Sequence, residues 1–262
     1  SFMRSLLINI ILLAITLNSY CKTPYTFWEL GFFGGESYYL GDLNKTHFKQ
    51  FNLGFGSRIR YNYDERIGLK GCITIANLSG NDALSNNSFQ QDRNITFSSQ
   101  IIEGAIIGEF NFFSYSALDP KAKTTTPFFF LGLGYTYHNP KTSFNGIQMS
   151  TQNLRTEGIS YKKNILSIPL GVGYKIRANR LSFELTWGIR KTYTDYLDDV
   201  STNFLSNSSA ILGSKSSITN TTQYDNVDNV KRGDQYNKDW YVFTGLTIFI
   251  NLTPKTICRK FY

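Results

Sequence analysis

Residues 51 to 63 read FNLGFGSRIRYNY and alternate with a period of two. Phe51, Leu53, Phe55, Ile59, Tyr61 and Tyr63 fall on one side; Asn52, Gly54, Gly56, Arg58, Arg60 and Asn62 fall on the other. Successive side chains of a strand point to opposite faces, so the segment predicts a strand with one apolar face and one face carrying two arginines. The period recurs from 66 to 76, where Ile67, Leu69, Ile73 and Ile75 oppose Lys70, Cys72 and Thr74, and from 100 to 113, where Ile102, Ile106, Phe110 and Phe112 oppose Glu103, Ala105, Glu109 and Asn111. Segments 165 to 176 and 181 to 192 repeat it, the first with Ser167, Pro169 and Lys175 on its polar side and the second with Ser182, Glu184, Thr186 and Arg190. Pro169 predicts a local bulge, because proline cannot donate to a ladder. Three more segments, 27 to 35, 128 to 138 and 240 to 251, have strand character but are apolar on both faces, which leaves their phase open.

The connections between these eight segments alternate in length. Residues 36 to 50, 77 to 99, 139 to 164 and 193 to 239 are long; YDER (63 to 66) and RANR (177 to 180) are short, and 114 to 127 is intermediate. A soluble barrel would put its apolar faces inside, whereas a membrane barrel turns them to lipid and has long loops outside and short turns on the inner side. Strands of roughly nine to thirteen residues are long enough to span a bilayer when tilted. The rhythm, the even strand number and the leader described next favour an eight-stranded antiparallel transmembrane β-barrel. Arg58 and Arg60 then face the lumen with Lys70 and Arg190, where Glu29, Glu103, Glu109 and Glu184 are expected to pair with them, since unpaired charge in a confined interior is costly. A barrel of this size is filled by side chains, so the balanced charges predict a paired plug in preference to a conducting pore.

Met3 and Arg4 precede SLLINIILLAITL, a cationic start and an apolar run of about a dozen residues, which reads as an export signal and is short for a transmembrane helix. Cleavage near Cys21 divides the chain into a signal peptide (1 to 22), a barrel (23 to 252) and a periplasmic tail (253 to 262); the bulky Tyr20 argues against lipid attachment at Cys21. The net charge of +8 is scattered through alternating segments, which speaks against nucleic acid as a partner. Cys72 and Cys258 suggest neither a disulfide framework nor a metal site, and no cofactor is expected. His47 and His138 lie in separate polar stretches with no catalytic signature around them, so no enzyme activity is expected. Asp195, Asp198 and Asp199 in TDYLDDVS could offer oxygens to calcium, but the run lacks the alternating ligand pattern and reads better as a loop cap. Trp28, Trp187 and Trp240, with Tyr61, Tyr63, Tyr135, Tyr137 and Tyr241, fall near strand ends, as interfacial girdles require.

Three stretches, WELGFFGGESYYLGDLN (28 to 44), TDYLDDVS (194 to 201) and KRGDQYNKDWYVFTGLTIFI (231 to 250), resemble the PorG family of outer-membrane β-barrel proteins, components of the type IX secretion and gliding apparatus. The resemblance implies a non-enzymatic subunit in the outer membrane of a Gram-negative bacterium, associated on its periplasmic side with a ring of PorK and PorN type. It gives a role to the basic residues expected at the short-turn rim, Lys121, Lys123, Arg177, Arg180, Lys255, Arg259 and Lys260, as a protein-docking surface. The other reading is a stand-alone barrel that binds ligands or surfaces through its long loops.

Overall fold

The computed structural model describes residues 26–93, 95–116, 122, 124–144, 147–151, 157, 160–202, 232–234 and 236–253. The expected signal peptide, almost all of the tail, Cys21 and Cys258 lie outside the described residues. The strands are β1 (Phe27–Leu40), β2 (Asn52–Asn62), β3 (Ile67–Asn81), β4 (Thr96–Asn111), β5 (Thr125–Phe144), β6 (Ile147–Ser150), β7 (Asn164–Ala178), β8 (Leu181–Thr192) and β9 (Trp240–Asn251). Each predicted segment is one of these strands. β6 is an addition, pairing with the end of β5 as a short hairpin from Lys141↔Ser150 to Phe144↔Ile147.

All pairings are antiparallel between neighbours in sequence, β6 aside, and the wall closes where β1 pairs with β9 from Glu29↔Asn251 to Leu40↔Trp240. Closure removes both sheet edges, so every stave has two hydrogen-bonded neighbours. The result is an eight-stranded antiparallel β-barrel. The turns at 63–66 and 179–180 lie at one end with the intermediate connection; the long loops lie at the other. Asn179 makes the tight β7–β8 turn at φ 57°, a left-handed conformation that asparagine tolerates better than most residues.

The pleat answers the question of which face is inside. Phe55 is 60% exposed, Leu133 71%, Leu166 61% and Leu185 60%, while Arg60 on the opposite face of β2 is fully buried. Apolar side chains thus form a continuous outer belt. β1, β5 and β9, whose phase the sequence left open, turn Trp28, Leu30 and Phe32, then Leu131, Leu133 and Tyr135, then Leu246, Ile248 and Ile250 outward. Their inward aromatic residues, Phe33, Phe128, Phe130, Phe243 and Phe249, pack in the lumen.

Two expectations are corrected. There is no bulge at Pro169: β7 holds one register with β8 through Pro169↔Arg190, and with β5 the register is the same on either side of a short gap, at Leu131↔Leu170 and Gly134↔Ser167. The missing proline N–H interrupts the ladder without inserting a residue. Tyr241 belongs to no girdle, because its place on β9 points it inward, where it is fully buried. Trp28, Tyr63, Tyr135 and Tyr137 are exposed on the outer wall, and Trp28 packs against Tyr61 with ring centroids 4.7 Å apart.

Candidate functional site

The lumen is built in layers by the inward positions of the eight strands. Near the short turns, Glu29 of β1 and Arg60 of β2 face each other in the ladder, and Arg60 Nε donates to Glu29 Oε2 at 2.8 Å. Arg60 also pairs with Glu184 of β8 and lies 3.5 Å from Glu109 of β4. Lys70 of β3 bridges Glu109 Oε1 at 2.5 Å and Glu184 Oε1 at 2.6 Å. Lys175 of β7 donates to Glu109 Oε2 at 2.6 Å and to Asn111 Oδ1 at 2.9 Å. Three cations thus meet three carboxylates, and Asn62 and Ser182 donate further hydrogen bonds to Glu29. The cations are seated on aromatic faces, Arg60 at 3.9 Å from the Phe249 centroid and Lys175 at 4.4 Å from that of Phe128, which recovers part of their lost hydration.

Five of the eight residues expected to pair in the lumen, Glu29, Arg60, Lys70, Glu109 and Glu184, therefore form one network. Glu103 and Arg190 form a second contact one layer up, with Arg190 Nε 3.4 Å from Glu103 Oε2, which also accepts the Tyr241 hydroxyl at 2.6 Å. Arg58 stands apart. Among the described residues no carboxylate lies within ion-pair distance of it; Nη1 donates to the carbonyls of Ile73 at 2.9 Å and Ser57 at 3.1 Å, and the guanidinium covers the Phe33 ring at 4.7 Å. Lys175 was missed, although its place on the polar side of 165 to 176 was the signal that could have found it.

Above these layers the mouth is closed by the loops. Leu197 and Val200 of the β8–β9 loop and Leu43 of the β1–β2 loop are buried in an apolar cluster with Tyr39, Leu78, Phe97 and Ile101 of the wall. The polar rim of this cap centres on Tyr39. Its hydroxyl lies 2.6 Å from Asp198 Oδ2 and 2.7 Å from Asp239 Oδ1, and accepts the Asp42 backbone N–H at 2.8 Å. One hydroxyl hydrogen cannot serve two carboxylates, so one of the aspartates brings its own proton. Burial, and then the neighbouring Asp198 carboxylate, push the Asp239 carboxyl well above the usual range. Asp42 Oδ2 accepts the Asp234 N–H at 2.8 Å, and Arg232 donates to Glu157 at 2.9 Å and sits 3.3 Å from Asp199 Oδ2.

The three stretches singled out in the sequence thus meet in space: YLGDLN, TDYLDDVS and the RGD of KRGDQY interlock over the mouth. Asp199 occupies a left-handed conformation at φ 69°, in a turn that buries Leu197 and Val200 on either side of it. Asp195 accepts the Ser201 hydroxyl at 2.6 Å, and burial pushes its carboxyl up to about 7. The histidines are separated. His138 lies on the inward face of β5, stacked on Tyr161 and not in a loop, whereas His47 lies outside the barrel, 3.2 Å from the Tyr38 hydroxyl. Cys72 is a buried free thiol on the inward face of β3.

At the short-turn end, two of the seven expected rim residues fall within the described part. Arg177 reaches the Ala122 carbonyl at 3.4 Å, and the Arg180 carbonyl accepts the Asn251 N–H at 2.9 Å with its side chain exposed. Lys121, Lys123, Lys255, Arg259 and Lys260 lie outside the described residues.

Among solved structures, the chain is similar to Ail, the attachment invasion locus protein of Yersinia pestis, in complex with the heparin analogue sucrose octasulfate, at 11% identity and a TM-score of 0.43 over 87% of this chain and 99% of that one. It is also similar to Neisserial surface protein A, at 10% identity and 0.39 over 85% and 96%, and to the outer membrane protein OprG from Pseudomonas aeruginosa, at 11% identity and 0.38 over 85% and 95%. No curated protein matches the chain at a significant level. The model of one family matches residues 4–258, and the chain therefore belongs to the family described as Domain of unknown function (DUF6089).

Proposed function

We propose that the protein is a non-enzymatic barrel of a Gram-negative outer membrane, serving as a structural subunit of a type IX secretion machine and docking through its short-turn rim on a periplasmic ring of PorK and PorN type. The observation that carries the membrane part is the inversion of the usual burial pattern: charged side chains such as Arg60 and Lys175 are fully buried while Leu133 and Ile106 are more than 60% exposed. Water cannot solvate such a belt favourably; hydrocarbon can. A lumen filled by ion pairs and closed by a cap argues for a scaffold in preference to a conduit.

The secretion role is supported by the resemblance of residues 28 to 44, 194 to 201 and 231 to 250 to the PorG family. These stretches build the cap and the β1–β9 seam, so selection for shape accounts for them without catalytic chemistry. A second reading is a stand-alone barrel that binds through its long loops.

Deletion of the gene, with secreted cargo and ring assembly measured in parallel, tests the reading. Loss of cargo from the medium is expected; normal secretion over an intact ring overturns it. Reversing Arg177 and Arg180 to Glu should weaken ring co-purification in a salt-dependent manner while leaving barrel insertion unchanged, since clustered surface charge mainly steers and registers a partner.

A further inference from the structure

A groove of about 630 Å³ lies on the outer wall at the long-loop end, outside the lumen and bordering the cap at Gly41 and Asp42. Its floor comes from three adjacent staves, with Leu40 of β1 and Lys191 of β8 both paired to Trp240 of β9. Its walls are the β1–β2 loop, which brings Lys45 and His47, and the end of the β8–β9 loop, which brings Tyr236 and Lys238. The first of these loops is folded against the wall: Tyr38, an outward residue of β1, contacts the rings of His47, Phe48 and Phe51 and accepts the Trp187 indole N–H at 3.3 Å.

The groove is cationic at its loop end. Lys45, Lys191 and Lys238 are exposed, and Lys191 lies over the Trp240 ring at 5.5 Å. Among the described residues, no carboxylate forms a salt bridge with Lys45 or Lys191. Asp42 also lines the groove, but its Oδ2 is engaged by the Asp234 backbone. Glu36 lies on the same outer face two rows nearer the belt, level with Thr244 and Trp187, so a ligand must place its anionic group at the loop end and uncharged polar groups below it. One row further down, Gly34, Leu246 and Leu185 begin the apolar belt.

The cationic groove, the exposed Phe48 and Phe51 of the loop that covers Tyr38, and the apolar belt thus follow one another down this side of the wall. That order matches an amphiphile with a phosphorylated sugar head and acyl tails. Resting on the membrane reading above, we infer that this groove binds the phosphorylated headgroup of an outer-leaflet glycolipid, with Lys45 and Lys191 as the phosphate contacts and the acyl chains on the belt below. Lysine holds phosphate as a flexible point charge.

Purified full-length barrel, delipidated in a neutral detergent, is titrated with bisphosphorylated lipid A and bound lipid is counted by native mass spectrometry. Saturable binding is expected, weakened about tenfold or more in the Lys45→Gln/Lys191→Gln double variant, since each lysine near a charged lipid surface contributes substantially. The Lys141→Gln/Lys162→Gln variant, which removes two exposed lysines outside the groove, should bind as the parent does. Unchanged binding in the groove variant, or equal binding of enzymatically dephosphorylated lipid A, overturns the inference. Displacement of lipid A by millimolar inorganic phosphate overturns it in favour of a free-phosphate site. Heat-modifiable migration and insertion into phosphatidylcholine vesicles, measured on the same samples, report the membrane barrel separately, so its failure is distinguishable from failure of the groove.

Discussion

At the scale of single residues, the two arginines of β2 make opposite demands although they stand two positions apart. Arg60 is held by Glu29, Glu109 and Glu184, and its removal leaves three carboxylates with two lysines in a dry space. Arg60→Ala should cost about 3 kcal/mol, read as a lowered denaturation midpoint in detergent. Arg58 gives up only two carbonyl contacts and an aromatic face, and Arg58→Ala should cost clearly less, about 1.5 kcal/mol. Equal midpoints for the two variants would remove the argument that the network, and not charge as such, holds the lumen. In the cap, burial raises the Asp195 carboxyl to about 7, and burial and then the neighbouring Asp198 raise the Asp239 carboxyl well above the usual range. A carboxyl that binds its proton more tightly when folded stabilises the cap fully below the unfolded value and loses that contribution as pH rises through the folded one. For Asp195 the window runs from 3.8 to about 7. Protease nicking of the β8–β9 loop should therefore increase across this window, and Asp195→Asn should flatten its part of the rise.

At the scale of elements, the cap depends on close approach. A Cβ added at Gly41 would collide with the Tyr39 hydroxyl and Asp239 Oδ1, and one at Gly233 would lie 2.6 Å from Asp42 Oδ2. Gly41→Val should loosen the cap while leaving the wall intact, giving faster nicking of the loop with an unchanged heat-modifiable shift. Orientation is tested with an impermeant thiol reagent: Ala83→Cys, exposed in the β3–β4 connection, should label on whole cells, and Ala178→Cys at the β7–β8 turn only after the cells are opened. The strands were legible because β2, β3, β4, β7 and β8 alternate in polarity over most of the belt, with every second residue bulky and apolar. β1, β5 and β9 kept their phase hidden because the lumen also takes aromatic residues, as floors under Arg60, Lys70, Lys175 and Arg190, so apolar character does not separate inside from outside there. The long-loop ends of β3 and β4, Asn77–Asn81 and Thr96–Ser99, escaped for the converse reason: above the belt the contrast reverses, with Asn77, Ser79, Thr96 and Ser98 turned outward and Leu78 and Phe97 turned inward against the cap, so the pattern that marks the belt does not continue. The meeting of Tyr39 with Asp198 and Asp239, across 159 and 200 residues, had no local signal.

At the scale of the whole molecule, the proposed reading makes belt, filled lumen and cap an object that spans a membrane without connecting its two sides. Reconstituted into planar bilayers, the barrel should show no sustained unitary conductance; steady channels in the parent protein would overturn the scaffold reading. The seam between β1 and β9 adds a constraint of timing. Every other stave can pair with a neighbour close in sequence as soon as both exist, but β1 has to wait for the last strand of the wall. Until then the sheet has two raw edges, one on β1 and one on β8, and raw edges recruit foreign strands. Assembly therefore has a late committing step whose delay is set by the long β8–β9 connection, and the chain is exposed to misassociation for as long as that step takes. A barrel of this kind is limited in the cell less by how stable it is once shut than by who guards β1 while it is open.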